Sequence, residues 1–523
     1  MYILVPLVLI VFSLVLVSDG SQAFIAPITL SSDGGSYYTV VGLGNIFFRV
    51  SLDTASSDLW IMSSSCLTET CQKVPRYPLS YQSPTFLSVN SNSTAFNAIY
   101  SDGTSADGFV AKETVLFSNL TVPNQALALI TSSNVSLADN ISGILGLGFP
   151  RISSINGTAT NSTPFFPGLA QRGLLQYPLF GLSLTRNDTG SLSLGAIDAS
   201  VVTNLTNIQW NPVVEFSPFT NESNSSSYYQ WALPLQGLTV NGTSVSLSPS
   251  YPSVTANKSI AIFDVGNPGI YGPWADVSKL FSSFNGARLV DAAAGHQRNF
   301  TLQPTDYIIG ETSGDPGLCL AWPRALDPSP DGIDWQIGTP FMRTVYTVFS
   351  YGIDTSEPPM IGLYPLSNIT TPESAALVSS LISSASEIFP TTLPNSLLTT
   401  PTGTIQFYSL NTSVSASTGG IVDTDLAFSS YSAIFGAATS VPDPSTLNLS
   451  AIALISPSPT LATYTVTDSA GALSTTISHI TIPSIVLGVP PGWSSAGFVV
   501  RAPLLFGSLL SATLVSSLLR WTW

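Results

Sequence analysis

Histidine is almost missing from this chain: of 523 residues two are His, three are Cys and four are Met. A Ser-His-Asp triad would need His296 or His479 beside an activated serine, and no Gly-x-Ser-x-Gly elbow accompanies either. A zinc site of His and Cys ligands would need more donors than the chain supplies. Charge is scarce as well, at 9% of residues, and it leans acidic: 30 Asp and Glu against 15 Lys and Arg give a formal net charge of -15 and a pI near 4.3. A phosphate backbone would be repelled, so no nucleic acid is expected as a partner. The hydrolytic chemistry that survives these absences is that of carboxylates.

Small and hydroxylated residues fill the gap. Ser and Thr abound, with 39 Gly and 38 Pro, and about sixteen Asn-x-Ser/Thr sequons, among them Asn92, Asn119, Asn134, Asn140 and Asn299, fit a glycosylated, exported surface. Residues 3–17 (ILVPLVLIVFSLVLV) form a short apolar run followed by the small-x-small pattern Ser21-Gln22-Ala23, which predicts a signal peptide over 1–23; a signal anchor is the alternative. In an oxidising compartment Cys66 and Cys71 are close enough in sequence to close a small loop, which leaves Cys319 as a buried thiol or an intermolecular linker.

From Phe24 to Leu363 the chain reads as many short strands divided by Gly, Pro, Asn and Ser, the pattern of a large all-β unit. Phe48, Val50 and Leu52 alternate with Arg49 and Ser51 in a strand that runs directly into Asp53; the apolar run Ile260 to Phe263 likewise ends on Asp264. A carboxylate at the end of a buried strand is costly unless hydrogen-bonded, and here it occurs twice. Beyond Pro365 the composition turns to Ser, Thr, Pro and Ala, which predicts an extended, O-glycosylated stalk over 366–497, with local strands allowed near Ile480 to Val489. The apolar segment within 498–523 predicts a tether, either a GPI signal after Ser494 to Gly497 or a transmembrane helix flanked by Arg501 and Arg520.

The string Asp53-Thr54-Ala55-Ser56-Ser57-Asp58-Leu59-Trp60 is specific enough to name a family: it resembles the Asp-Thr-Gly-Ser-Ser-x-Leu-Trp signature of the pepsin-like aspartic proteases (peptidase A1), as in fungal-type secreted or GPI-anchored members. Ile99-Tyr100-Ser101-Asp102-Gly103-Thr104 resembles the flap hairpin of that family, and its Asp-Gly turn is a hairpin signal by itself. Ile144-Leu145-Gly146 resembles the element packed over the first aspartate loop. In the second half Phe263-Asp264-Val265-Gly266 resembles the second aspartate turn, and Trp335-Gln336-Ile337-Gly338 its packing element. The resemblance covers about residues 24–365 and implies a bilobal fold, lobes near 24–200 and 201–365, with a central cleft.

It also implies roles. Asp53 and Asp264 would share one proton and activate a water, and no cofactor would be needed; the aspartic protease dyad is a standard example of such sharing. Ser56 would bond the outer oxygen of Asp53, Tyr100 and Trp60 would close the cleft, Thr54 and Gly266 would shape the two turns, and Cys66 and Cys71 would form the small disulfide loop. Protein or peptide substrates and a monomer are expected. Several positions depart from the family pattern. Ala55 stands for Gly and could crowd the dyad. Val265 stands for Thr, so Thr54 is expected to lose its cross-lobe partner. Asn267-Pro268 replaces a Thr/Ser pair, Thr339 stands where Asp is common, and no basic pro-segment is evident. These departures make a catalytically impaired, protease-like binding or structural protein of the cell surface the alternative expectation.

Overall fold

A computed structural model of the chain describes residues 22–155, 162–185, 189–215, 227–240, 243–252, 255–282, 308–312, 315–326, 329, 332–353, 357–366, 431, 448, 451–457, 461–467, 473–479 and 485–493. All but the last two residues of the expected signal segment, and the whole apolar segment 498–523, lie outside them, as does His296.

Strand Ile46–Asp53 shows how the pattern becomes structure. Ile46, Phe48, Val50 and Leu52 are fully buried, while Phe47 and Arg49 are partly exposed and the Arg49 guanidinium lies 5.0 Å from the centre of the Tyr38 ring. From Val50 onward every residue is buried, so the strand carries Asp53 into the interior. It runs antiparallel to Tyr37–Leu43 and parallel to Ile141–Gly146, with Asp53 opposite Gly146. After the aspartate turn, Leu59–Met62 returns on the far side of Ile141–Gly146, antiparallel to it. The second half repeats this interleaving. Ser259–Phe263 leads into Asp264, Ile270–Pro273 leaves the turn, and Trp335–Ile337 lies between them, parallel to the first and antiparallel to the second.

The interleaving brings backbones so close that glycine is required at both crossings. A Cβ on Gly146 would lie 2.4 Å from the Ser57 carbonyl carbon, and one on Gly338 would lie 2.2 Å from the Asn267 oxygen. The two Gly that the family resemblance singled out are therefore fixed by contact rather than by turn geometry.

The first aspartate strand belongs to a fourteen-stranded sheet and the second to a five-stranded one. The larger sheet continues through Phe24–Leu30, Thr189–Leu194 and Leu179–Ser183 into Val345–Ser350, Met360–Pro365 and Gln209–Pro212, so strands of the second half complete a sheet begun in the first. The chain thus adopts the bilobal all-β architecture. Its seam is aromatic: Trp231 packs against Phe149 (ring centres 4.4 Å apart), Tyr351 (4.8 Å) and Phe349 (5.1 Å), and Phe349 stacks on Phe180 at 4.8 Å. Rings of this size dominate the apolar area removed from water, which makes the seam a core shared by the lobes rather than a contact between finished ones.

Extended stalk does not describe every residue of 366–497. Leu454–Ile455 pairs in parallel with Ile197–Asp198, Ile452 is buried, Leu487 bridges to Phe47, and Tyr431 donates its hydroxyl to the Ala170 carbonyl at 3.0 Å. Isolated apolar side chains in a Ser/Thr-rich segment suffice to dock it on the body of the molecule. Leu461–Thr467 and Leu473–His479 form a separate antiparallel hairpin, which contains His479.

Candidate active site

The repeated crossing delivers both aspartates to one place. Asp53 is 7% exposed, and Asp264 ends the buried strand Ser259–Phe263. The two carboxyl groups lie close enough to interact directly. A methyl group placed on Gly266 would lie 3.0 Å from Asp53 Oδ1 and 3.2 Å from Asp264 Oδ1, so both oxygens face the same small volume. The turns hold their carboxylates alike: the Ala55 N–H donates to Asp53 Oδ1 at 2.8 Å, and the Gly266 N–H donates to Asp264 Oδ1 at 2.8 Å.

Their surroundings then diverge. Ser56 Oγ donates to Asp53 Oδ2 at 2.5 Å, and no side-chain hydroxyl does the same for Asp264 among the described residues. Burial raises the Asp53 carboxyl, opposed by the donors Ser56, Ala55 and Asp264. Burial raises Asp264 well above the ordinary carboxylate range, and the negative charge of Asp53 raises it further. Two carboxylates in contact cannot both ionise cheaply. Of the two, Asp264 is the one held further above the ordinary carboxylate range.

The flap hairpin pairs Ala95–Ile99 with Ser105–Phe117. Its turn is closed by the Tyr100 N–H to the Thr104 carbonyl (2.9 Å) and by Asp102 Oδ1 accepting from the Thr104 N–H (2.8 Å). Trp60, buried in the strand after the first aspartate turn, donates its indole N–H to the Tyr100 hydroxyl at 2.7 Å. Burial first, then the Asp53 charge, raises the Tyr100 phenol, so the flap tyrosine lies within the field of the dyad. Cys66 and Cys71 form a disulfide (S–S 2.06 Å) whose loop is fastened by the Thr68 and Thr70 hydroxyls, each donating to the Ser133 carbonyl at 2.7 Å.

Two of the sequence departures act differently from expectation. Thr54 keeps its partners across the lobes: its hydroxyl donates to the Phe263 carbonyl at 2.8 Å and accepts from the Val265 N–H at 3.0 Å. Backbone groups of the second lobe satisfy it, so it needs no threonine opposite, and the Val265 side chain is simply buried in the core. Ala55 does not distort its turn either. Its N–H bond matches that of Gly266 in length, and its methyl packs against a small apolar cluster containing Ile260, Ile262 and Tyr229. Asn267 is turned inward: its Oδ1 accepts from the Gly269 N–H at 2.9 Å and its Nδ2 donates to Gln336 at 3.4 Å. Thr339 is buried, and its hydroxyl has no partner among the described residues.

Sequence reasoning passed over three residues. Asp58, inside the quoted motif, is buried and accepts from the Ser153 hydroxyl and from the Ser154 N–H at 2.7 Å; burial pushes it up to about 6. Ser154 Oγ in turn donates to the Asn97 carbonyl of the flap strand at 2.8 Å. Trp231 and Tyr351 both donate to the Leu147 carbonyl (2.9 and 2.6 Å), and the Leu147 N–H holds the Asp53 carbonyl at 2.7 Å. The available signal was that Asp58 is an acid flanked by residues fated for burial; nothing local marks the long-range pair.

The family model for eukaryotic aspartyl proteases matches residues 36–357. The chain is 27% identical over 336 residues to major aspartyl peptidase 1 of Cryptococcus neoformans var. grubii, covering 58% of this chain and 64% of that protein. It is 27% identical over 334 residues to an aspartic protease of Phaffia rhodozyma (60% and 73% covered) and 29% identical over 317 residues to camel (Camelus dromedarius) chymosin (58% and 74%). The alignment thus spans less than two thirds of the first of these relatives.

Proposed function

Given that the chain belongs to the eukaryotic aspartyl protease family, we propose that it is an acid-active aspartic endopeptidase that hydrolyses protein or peptide substrates between Asp53 and Asp264. The observation that carries this reading is the contact of the two carboxyl groups at the ends of the two repeated strands, with Asp264 held well above the ordinary carboxylate range.

Asp53, ionised, takes a proton from water as the water oxygen attacks the scissile carbonyl carbon. Asp264 donates its proton to the carbonyl oxygen, giving a gem-diol with no covalent enzyme intermediate. On collapse the proton on Asp53 passes to the leaving nitrogen, the C–N bond breaks, and a gem-diol proton returns to Asp264. Ser56 stabilises the charge on Asp53, Thr54 and Gly266 hold the turns, and Tyr100, set by Trp60, covers the reacting centre.

Purified protein should cleave an unfolded protein substrate near pH 4, and Asp53→Asn or Asp264→Asn should lower kcat by at least about 1000-fold. Wild type no more active than these variants would leave the non-catalytic binding protein as the account of the cleft. Location forms a second part of the proposal. The apolar run in 1–23 supports export, and the segment 498–523 supports attachment of a monomer to the outer cell surface. Release from cells by a phosphatidylinositol-specific phospholipase would identify a GPI tether; resistance to the enzyme with retention in the membrane fraction would identify a helix.

A further inference from the structure

Two stretches of chain from beyond the family match return to the body of the molecule at separate places. In the first, the Ile197 N–H donates to the Ala453 carbonyl at 3.0 Å and the Ala199 N–H donates to the Ile455 carbonyl at 2.7 Å, as Leu454–Ile455 runs parallel to Ile197–Asp198. Ile452 is 5% exposed in an apolar cluster that also holds Tyr177 and Leu179 from the first lobe and Tyr346 and Val348 from the second. In the second place, the Gly488 N–H donates to the Phe47 carbonyl at 2.9 Å, and the Trp493 ring meets Tyr81 edge-on at 6.0 Å. Gly488 has φ +70°, and a Cβ there would lie 2.8 Å from the Pro75 Cβ, so this contact is fitted to a glycine.

A free tether has no reason to make any of these contacts. The backbone groups of Ile197, Ala199 and Phe47 would otherwise lie at open edges, which proteins cover because exposed edges recruit other chains. Covering them with a segment of the same polypeptide costs little association entropy, because the linker keeps the segment at high effective concentration. The first contact is a two-stranded pairing of its own over an apolar cluster to which both lobes contribute, and the second lies on the hairpin that leads into the Asp53 strand.

We propose that residues 451–457 and 485–493 are an intramolecular strap, an integral part of the folded protease unit. The strap closes the 197–199 edge where the lobes join and clasps the first lobe at Phe47 and Tyr81. Any tether that follows leaves the molecule beside Tyr81 rather than from Met360–Pro365.

Amide hydrogen exchange on the full chain tests this directly. The Ile197, Ala199 and Gly488 amides should exchange at least about 100-fold more slowly than in an unstructured peptide. Ile452→Asp should speed Ile197 and Ala199 by at least about tenfold while leaving Gly488 slow, and Gly488→Val should do the reverse. Failure of Ile452→Asp to fold would also support the strap, since a change on a free tether could not unfold the body. Exchange of these three amides at free-peptide rates in the wild type, or no response of Ile197 and Ala199 to a folded Ile452→Asp, would overturn it. The outcome is independent of whether the dyad is catalytic.

Discussion

The two aspartate turns share a backbone plan and differ in what their side chains do. In the first, Thr54 and Ser56 direct their hydroxyls at the second lobe and at the dyad. In the second, Val265 is apolar and buried, and Asn267 binds its own turn and Gln336. Five residues past Asp53 stands the buried carboxyl of Asp58; five past Asp264 stands Gly269. The lesson of the contrast is that the loss of polar groups in one half need not dismantle a shared site. It polarises the site: a side-chain hydroxyl joins the backbone donor on Asp53, whereas among the described residues backbone donors alone serve Asp264, whose carboxyl is raised further.

The sharpest way to break this arrangement is Thr54→Val. It would strand the Phe263 carbonyl and the Val265 N–H in a buried position, at about 1–3 kcal/mol each, and should lower both thermal stability and kcat. If instead the lobes were held by their aromatic seam alone, melting temperature and kcat would stay near wild type.

Asp58 gives the next largest effect. Its folded pKa of about 6 lies above the ordinary value, so its contribution to stability is full below about pH 4 and is lost as pH rises through about 6. Asp58→Asn should therefore stabilise the protein relative to wild type at pH 7 by about 2–3 kcal/mol and change it little near pH 4. Chemical denaturation at the two pH values checks the sign. The raised carboxyls of Asp53 and Asp264 act in the same direction, so wild type should melt higher in acid than at neutrality.

Smaller shifts should appear in the pH dependence of kcat/KM. Ser56→Ala removes a donor from ionised Asp53 and should move the acidic limb up by roughly half a pH unit to one unit. Asn267→Ser offers Asp264 a donor of the kind Ser56 gives Asp53, and should move the alkaline limb down by a similar amount. The two substitutions narrow the profile from opposite sides, and a shift of the same limb by both would show that the halves are not divided as described. Tyr351→Phe should have the least effect, about 1 kcal/mol of stability, since Trp231 still holds the Leu147 carbonyl.

Much of this was legible in the amino-acid order. Alternation in Ile46–Asp53 and the apolar run Ser259–Phe263 placed both aspartates at strand ends, and the Asp102-Gly103 turn marked the flap. What could not be read was which backbone groups would meet which side chains over long separations. Val265 suggested an orphaned Thr54 because a side chain was sought where backbone serves. The stalk composition hid Ile452 and Gly488, whose docking depends on an apolar cluster built from both lobes and on Pro75, far away in sequence. Leu147, likewise, joins the lobes through its carbonyl, which is the same in every residue.

The central claim is the location of one proton, and carboxyl carbon NMR of aspartate-labelled protein, assigned with Asp53→Asn and Asp264→Asn, reports it directly. At a pH where free carboxylates are ionised, about 5 to 6, the account predicts a protonated Asp264 beside an ionised Asp53. Two ionised carboxylates titrating independently near their ordinary values would contradict it.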